Sequence, residues 1–354
     1  MLMKKGLTKN ERMVLYGLVK YPTLNDRELS EKTEVKHSTI TAIRRRLRQE
    51  GYFKTVRIPS VNRLGYEFSV VGYGRYNPSA SENLKKSFVK TMTKENKGLY
   101  YFLTSPDFYV FLAAARDYTS FRRWNETVEY EFSDTELFGD MKRKTAVFPF
   151  GTSRHLRFFH FSRSLSLLFG LNEKVDVESI FRRVDSRRLT KKERAVLEGL
   201  VKHPELTDVA LSEEINASRQ VISSMKKRFE KTGLVRTARI VDFKKLGYEI
   251  LAFVHVRLSP RFPLKSRLDG LQKTVQLLPN FLMIAGNLET VLLSPSVNYD
   301  AYFKARKEVL SFYFTKDYML GEPMVELIAL SEAETPVNCD FSSLVGEATG
   351  KPPK

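Results

Sequence analysis

Residues 7–22 read LTKNERMVLYGLVKYP, and residues 189–204 read LTKKERAVLEGLVKHP. The offset between them, 182 residues, also carries Leu29-Ser30-Glu31 onto Leu211-Ser212-Glu213 and Leu64-Gly65-Tyr66-Glu67 onto Leu246-Gly247-Tyr248-Glu249. No gap is needed from Leu7 to Pro78, and roughly two positions in five are identical, far above chance. Further on, Tyr118 and Val128 align with Tyr299 and Val309, and Phe161-Ser162 with Phe341-Ser342, the offset drifting only to 180. The chain is a duplication, and two copies are too few for a solenoid.

Each copy opens with a helical pattern. Thr8 stands three residues before Glu11, and Thr190 before Glu193, the spacing in which side chains cap a helix start reciprocally. Val14, Leu15, Leu18 and Val19 form one apolar face, and Pro22 and Pro204 stop the helix. A short second helix is expected over 26–33 and again from Asp208, with Leu29 and Leu211 turned inward. The third runs from about Ser38 to Gly51, its inner side marked by Ile40, Ile43 and Leu47; Ile222, Met225 and Phe229 repeat the spacing before Gly233.

The opposite side of this third helix is polar in front and cationic behind. It carries Thr39, Thr41, Arg44, Arg45 and Arg48 in the first copy, with Lys36, His37 and Ser38 at the entry. The second copy has Ser218, Arg219 and Gln220 at the entry, then Ser223, Ser224, Lys226 and Lys227. Such a face suits the major groove of duplex DNA, short polar groups meeting base edges and cations meeting phosphates. The β-prone runs at 52–58 and 234–240 read as wings that turn Lys54, Arg57, Arg236 and Arg239 toward the phosphate backbone.

The rest of each copy has a different periodicity. A strand is expected at 68–76, a helix at 81–93, strands at 99–103 and 108–113, a helix at 118–132 and a strand at 145–150. The second copy gives 250–258, 264–277, 281–285, 291–293, 299–310 and 324–329 in the same order. This βαββαβ succession is that of a ferredoxin-like sandwich. The expected class is α+β in two tandem units, each a winged helix-turn-helix domain (1–66; 189–248) followed by a ferredoxin-like domain (67–175; 249–343). A basic linker at 176–188 would join them, and 344–354 reads as a disordered tail.

Composition agrees with a polyanionic partner. Lys and Arg number 59 against 41 Asp and Glu, a net charge of +18. The single cysteine, Cys339, excludes an intrachain disulfide and suits a reducing cytoplasm. The five histidines show no metal-ligand spacing, so neither metal nor cofactor is expected. The opening residues lack the apolar core of a signal peptide, and 158–171 is too short and too polar to span a bilayer. A soluble cytoplasmic protein is the expectation. The aromatic run Phe148, Phe150, Phe158, Phe159 and Phe161 reads as packing rather than base stacking, because no RNA-binding motif accompanies it.

LTKNERMVLYGLVKYP with its DRELSEKTEV continuation, the helix before Gly51, and the RLGYE junction together resemble the Lrp/AsnC (leucine-responsive) family of bacterial and archaeal transcription regulators. The resemblance covers nearly the whole chain, once per copy, as a tandem-duplicated, archaeal-type version. It implies that the first domain of each unit binds double-stranded DNA and that the second mediates dimerisation, here a possible homodimer through the ferredoxin-like domains. Members of the family also bind small-molecule effectors such as amino acids, but no effector motif stands out in 99–115 or 281–295. The family's usual chain is a single unit, so this one would supply both halves of the dimer itself. The entry residues of the two third helices differ, Lys36-His37-Ser38-Thr39 against Ser218-Arg219-Gln220-Val221, which predicts an operator with unlike half-sites.

Two other readings use the same residues. One is a sequence-indifferent architectural DNA binder, suggested by charge alone. The other is an enzyme, because siroheme decarboxylases are tandem chains of similar architecture. They carry a His-Asn-Tyr-type segment in the sandwich strands, whereas 97–104 and 280–285 here contain no histidine, so no enzymatic activity is expected.

Overall fold

The computed structural model describes residues 6–138, 143–175, 177, 179–181 and 189–349. The basic linker of the sequence reading and the end of the tail fall largely outside them. The chain mixes helices with antiparallel sheet, an α+β architecture.

The first head comprises α1 (Lys9–Lys20), α2 (Asp26–Thr33) and α3 (His37–Gln49). Both expected capping boxes form: Thr8 with Glu11, and Thr190 with Glu193 at the start of α7 (Lys191–Lys202). The glycine repeated in GLVK lies where α1 meets α2. A Cβ on Gly17 would sit 2.6 Å from the Thr33 side chain, and one on Gly199 2.9 Å from Ile215, so both positions need the missing side chain. The second head continues with α8 (Asp208–Glu214) and α9 (Arg219–Lys231).

The strands expected as wings do something else. β1 (Phe53–Pro59) and β7 (Val235–Val241) pair antiparallel with each other and form a two-stranded ribbon between the heads. Val56 faces Ala238, the residue 182 positions later, so a local two-fold axis passes through that pair. The ribbon is covered on both faces, which is why both strands are almost continuously buried.

Beyond the ribbon, the first unit supplies β2 (Phe68–Arg75), α4 (Glu82–Glu95), β3 (Leu99–Thr104), β4 (Phe108–Ala115), α5 (Tyr118–Phe132) and β5 (Lys144–Pro149), then β6 (Arg154–Leu156) and α6 (Ser162–Phe169). The second supplies β8 (Ile250–Arg257), α10 (Leu268–Leu277), β9 (Leu282–Ala285), β10 (Glu289–Ser296), α11 (Tyr299–Thr315) and β11 (Met324–Ala329), then β12 (Glu334–Asn338) and α12 (Ser342–Thr349). The sheets run β12-β3-β4-β2-β5 and β11-β8-β10-β9-β6. Each βαββαβ core is therefore completed by a fifth strand from the other unit.

That exchange extends to side chains. The repeated tyrosine of LGYE reaches across each time, Tyr66 Oη donating to Leu344 O at 3.0 Å and Tyr248 Oη to Ser164 O at 2.7 Å. Inner faces of the sheets meet through Tyr73, Phe108 and Phe253, with ring centroids 4.7 Å apart for Tyr73 and Phe253. Helices α4 and α5 cover one outer face, α10 and α11 the other. The aromatic run 148–161 is buried in the shared core, as a packing role requires. The expected disordered tail needs correction at its start, because α12 continues through 344–349 and buries Leu344 and Val345 against the core.

Candidate nucleic-acid interface

Three consecutive cations occupy equivalent places on the two third helices: Arg44, Arg45 and Arg46 on α3, and Lys226, Lys227 and Arg228 on α9. The first of each trio is held inside its head. Arg44 pairs with Asp26 at 2.6 Å and Lys226 with Asp208 at 3.0 Å, each acid being the first residue of the second helix. The third is held as well, Arg46 by Glu11 and Arg228 by Glu193 at 2.6 Å, each acid belonging to a capping box. Only the middle cation of each trio, Arg45 and Lys227, is exposed and has no ion-pair partner among the described residues. The first and third basic residues of each trio thus tie the helices of the head together, and the middle one is left without a partner among the described residues.

Around these two positions the helix entries are open. Lys36, His37, Ser38 and Thr41 are exposed on α3 and Thr39 half-buried; Thr41 donates to Asp26 at 2.6 Å, sharing that carboxylate with Arg44. On α9, Ser218, Arg219, Gln220 and Ser224 are exposed, with Ser223 half-buried. Ser218 caps its helix by accepting from the Val221 amide, whereas Lys36 makes no side-chain cap on α3. The first turn of α3 consequently keeps free amides at the positive end of its dipole, a place where an anion is favoured.

Arg48 is drawn toward the second head. It pairs with Glu205 of the second head, and Glu205 also accepts from the Thr55 amide at 2.8 Å. Glu205 was absent from the sequence reading because Thr23 stands at the equivalent place in the first copy, so the repeat gives no signal for it.

The wing assignment is corrected for three of its four cations. Arg57 is buried in the ribbon, where it binds Glu230 and Thr237 at 2.6 Å each. Arg239 is buried as well, donating to Leu18 O and lying over the Phe53 ring. Arg236 donates to Phe158 O from within a cleft. Lys54 is exposed but donates to Asn338 O at 3.0 Å on the exchanged strand β12. The physical reason is the ribbon: strands that pair across the two-fold, between the heads, are buried along most of their length.

No family model matches the sequence, and no curated protein matches it. Among solved structures, siroheme decarboxylase NirDL is similar over 96% of this chain and 98% of its own, with a TM-score of 0.52 at 10% identity. NirDL in complex with an iron-uroporphyrin III analogue gives a TM-score of 0.51. Transcription regulators, E. coli AsnC among them, cover about one unit. The regulator NMB0573 of Neisseria meningitidis, bound to L-Met, covers 42% of this chain and 96% of its own, at 18% identity and a TM-score of 0.34. E. coli AsnC covers 40% and 93%, at 18% identity and 0.33. At these identities the NirDL likeness shows a shared overall fold.

Among the described residues no group of three or more His, Cys, Asp or Glu could hold a metal ion, and no helix is long and apolar enough to cross a membrane.

Proposed function

We propose that the chain is a sequence-specific, double-stranded DNA-binding transcription regulator that works as a single-chain pseudo-dimer. Its units are helix-turn-helix heads on exchanged βαββαβ sandwiches, and α3 and α9 enter the major groove. The observation that carries this reading is the repeated trio, in which Arg45 and Lys227 stay exposed and unpaired among the described residues while both neighbours of each pair with acids of their own head. A solvated helix face has no need to keep a central cation free in both copies, Arg45 in one and Lys227 in the other, when the residues at the helix entries differ. The net charge of +18 supplies the general attraction for phosphate. Apolar residues exposed on α11, Tyr299, Phe303 and Phe314, support a further homodimer contact through the second sandwich.

Covalent linkage removes the requirement for a palindrome, so selection from random duplexes followed by footprinting at moderate salt is expected to recover an asymmetric site. A perfect palindrome would count against two heads with different entry residues. Uniform protection of random duplex would favour the architectural alternative.

The full-length likeness to NirDL favours one second reading, an enzyme acting on a tetrapyrrole. A cleft of about 640 Å3 beside the ribbon, with Lys54, Lys244, Tyr101 and Phe281 in its wall, has the size for a large ligand. Titration with an iron-uroporphyrin followed by its visible absorbance tests this reading: a saturable shift supports it, and an unchanged spectrum removes it.

A further inference from the structure

On the other side of the ribbon lies a cleft of about 370 Å3 that DNA binding does not use. Its wall joins the end of α1 (Lys20), the end of α9 (Glu230), both ribbon strands (Ile58, Arg236) and the segment after β6 (His160, Phe181). The volume is that of a metabolite site.

Its charges do not balance. Arg236 spends one nitrogen on Phe158 O, and its Nε has no partner among the described residues. Arg157 lies close by, donating to His160 O at 3.3 Å and Ser162 Oγ at 3.1 Å, again with Nε unpartnered. Burial brings both guanidinium groups down to about 10; Glu173 works against it at Arg157, and the charge of Arg157 adds to it at Arg236. Lys20 adds a third cation, bound to the Tyr16 hydroxyl at 2.8 Å. Among the described residues none of the three forms an ion pair.

Two carboxylates are near, and one of them is committed. Glu230 is held by Arg57 at 2.6 Å and by Thr237 at 2.7 Å. Glu173 accepts from Ser162 Oγ at 2.6 Å, leaving its other oxygen without a partner among the described residues. His160 adds no charge of its own, because burial holds its imidazole well below the ordinary value. Among the described residues, Lys20 and Arg236 in the wall and Arg157 close to Arg236 thus outnumber the one uncommitted carboxylate nearby, Glu173, in a partly desolvated space, an arrangement that favours entry of an anion. The cleft on the opposite side of the two-fold is different: Lys54 takes the place of Arg236, and Asp242 and Glu334 stand against Lys54 and Lys244. The positive excess is thus a property of one cleft and not of the architecture.

We propose that the cleft under the ribbon binds a small organic anion, a carboxylate or a phosphate monoester, with Arg236 and Lys20 on its charge and Ile58 and Phe181 against its apolar part. The proposal is independent of the DNA-binding reading, because it is tested on the free protein. Calorimetric titration of the full chain in low-chloride buffer would use succinate, AMP and inorganic phosphate as probes. At least one probe is expected to bind once per chain, and affinity is expected to fall at least tenfold in Arg236→Met and in Lys20→Met. Arg261→Met, an exposed site paired with Asp317, is expected to bind like the wild type. Succinate against AMP distinguishes the two anion sources, and inorganic phosphate separates recognition of charge from recognition of the apolar part. If Arg236→Met does not fold, Lys20→Met decides. Absence of saturable heat with all three probes, or wild-type affinity in Lys20→Met, overturns the proposal.

Discussion

Alanine at Arg45 and alanine at Arg44 are chemically the same change one residue apart, yet the structure assigns them different consequences. Arg45 is exposed and unpaired among the described residues, so on the proposed DNA-binding reading Arg45→Ala is expected to leave the head intact and remove one contact to DNA. A lost Arg contact of this kind weakens binding by about 1–3 kcal/mol, roughly 5- to 150-fold. If the contact is to phosphate, the slope of log affinity against log salt loses about 0.9. The deficit would then shrink about 3.5-fold between 50 and 200 mM salt. Arg44→Ala instead strands Asp26, which keeps only Thr41, and loosens α3 from α2. That pair is partly exposed, so the expected cost is about 1 kcal/mol of stability. Fluorescence anisotropy on a selected duplex at both salt concentrations, with urea unfolding of each variant, separates the two. Wild-type affinity and salt slope in Arg45→Ala would refute the role given to α3.

Three further outcomes follow from burial. Arg57→Ala leaves the Glu230 carboxylate beside Thr237 alone, and the ribbon is expected to lose about 3 kcal/mol in urea unfolding. Leu344→Ala, at a fully buried position in the C-terminal helix, is expected to cost about 2–5 kcal/mol, whereas a disordered tail would tolerate it. Burial pushes the His155 imidazole down to about 3 from an ordinary value of 6.5, so between those pH values the unfolded chain carries the extra proton. Stability is therefore full above about pH 6.5 and falls as pH drops; this residue alone removes about 2 kcal/mol between pH 7 and pH 5. Denaturant unfolding at both pH values, compared with His155→Phe, should show that the variant lacks this loss; parallel pH slopes in the two proteins would contradict it.

The elements that were legible are those whose pattern is local. Capping boxes at Thr8 and Thr190, the inward spacing Ile40-Ile43-Leu47, and the helix at 118–132 depend on neighbours within two turns, and each appears in the structure within a residue or two. The exchanged strands were not legible. Arg154-His155-Leu156 is too short to show a period, and its partner β9 lies more than a hundred residues away in the other copy. The same holds for β12, whose partner β3 belongs to the first copy. A repeat tells that two units are alike but carries no mark of which sheet a terminal strand will join.

The site was half legible for a related reason. A helix face can be read from spacing, and spacing did separate the outward residues of α3 and α9 from the inward ones. It could not tell Arg45 from Arg44, because the acid that holds Arg44 sits on another helix, at Asp26, as does Glu11, which holds Arg46 together with Glu50. The duplication nevertheless contains that information. Asp26 and Asp208 are identical across the copies, as are Glu11 and Glu193, and a cation is retained opposite each of them. Agreement between copies therefore marks the ion pairs that build the head. Disagreement, as at Lys36–Thr39 against 218–221, marks positions the head does not need for folding and that are available to read different sequences. The ribbon cations obey the same logic in reverse. Arg57 and Arg239 are equivalent and identical, and both are buried inside, which is where a residue kept the same in two copies with different surfaces is expected to lie.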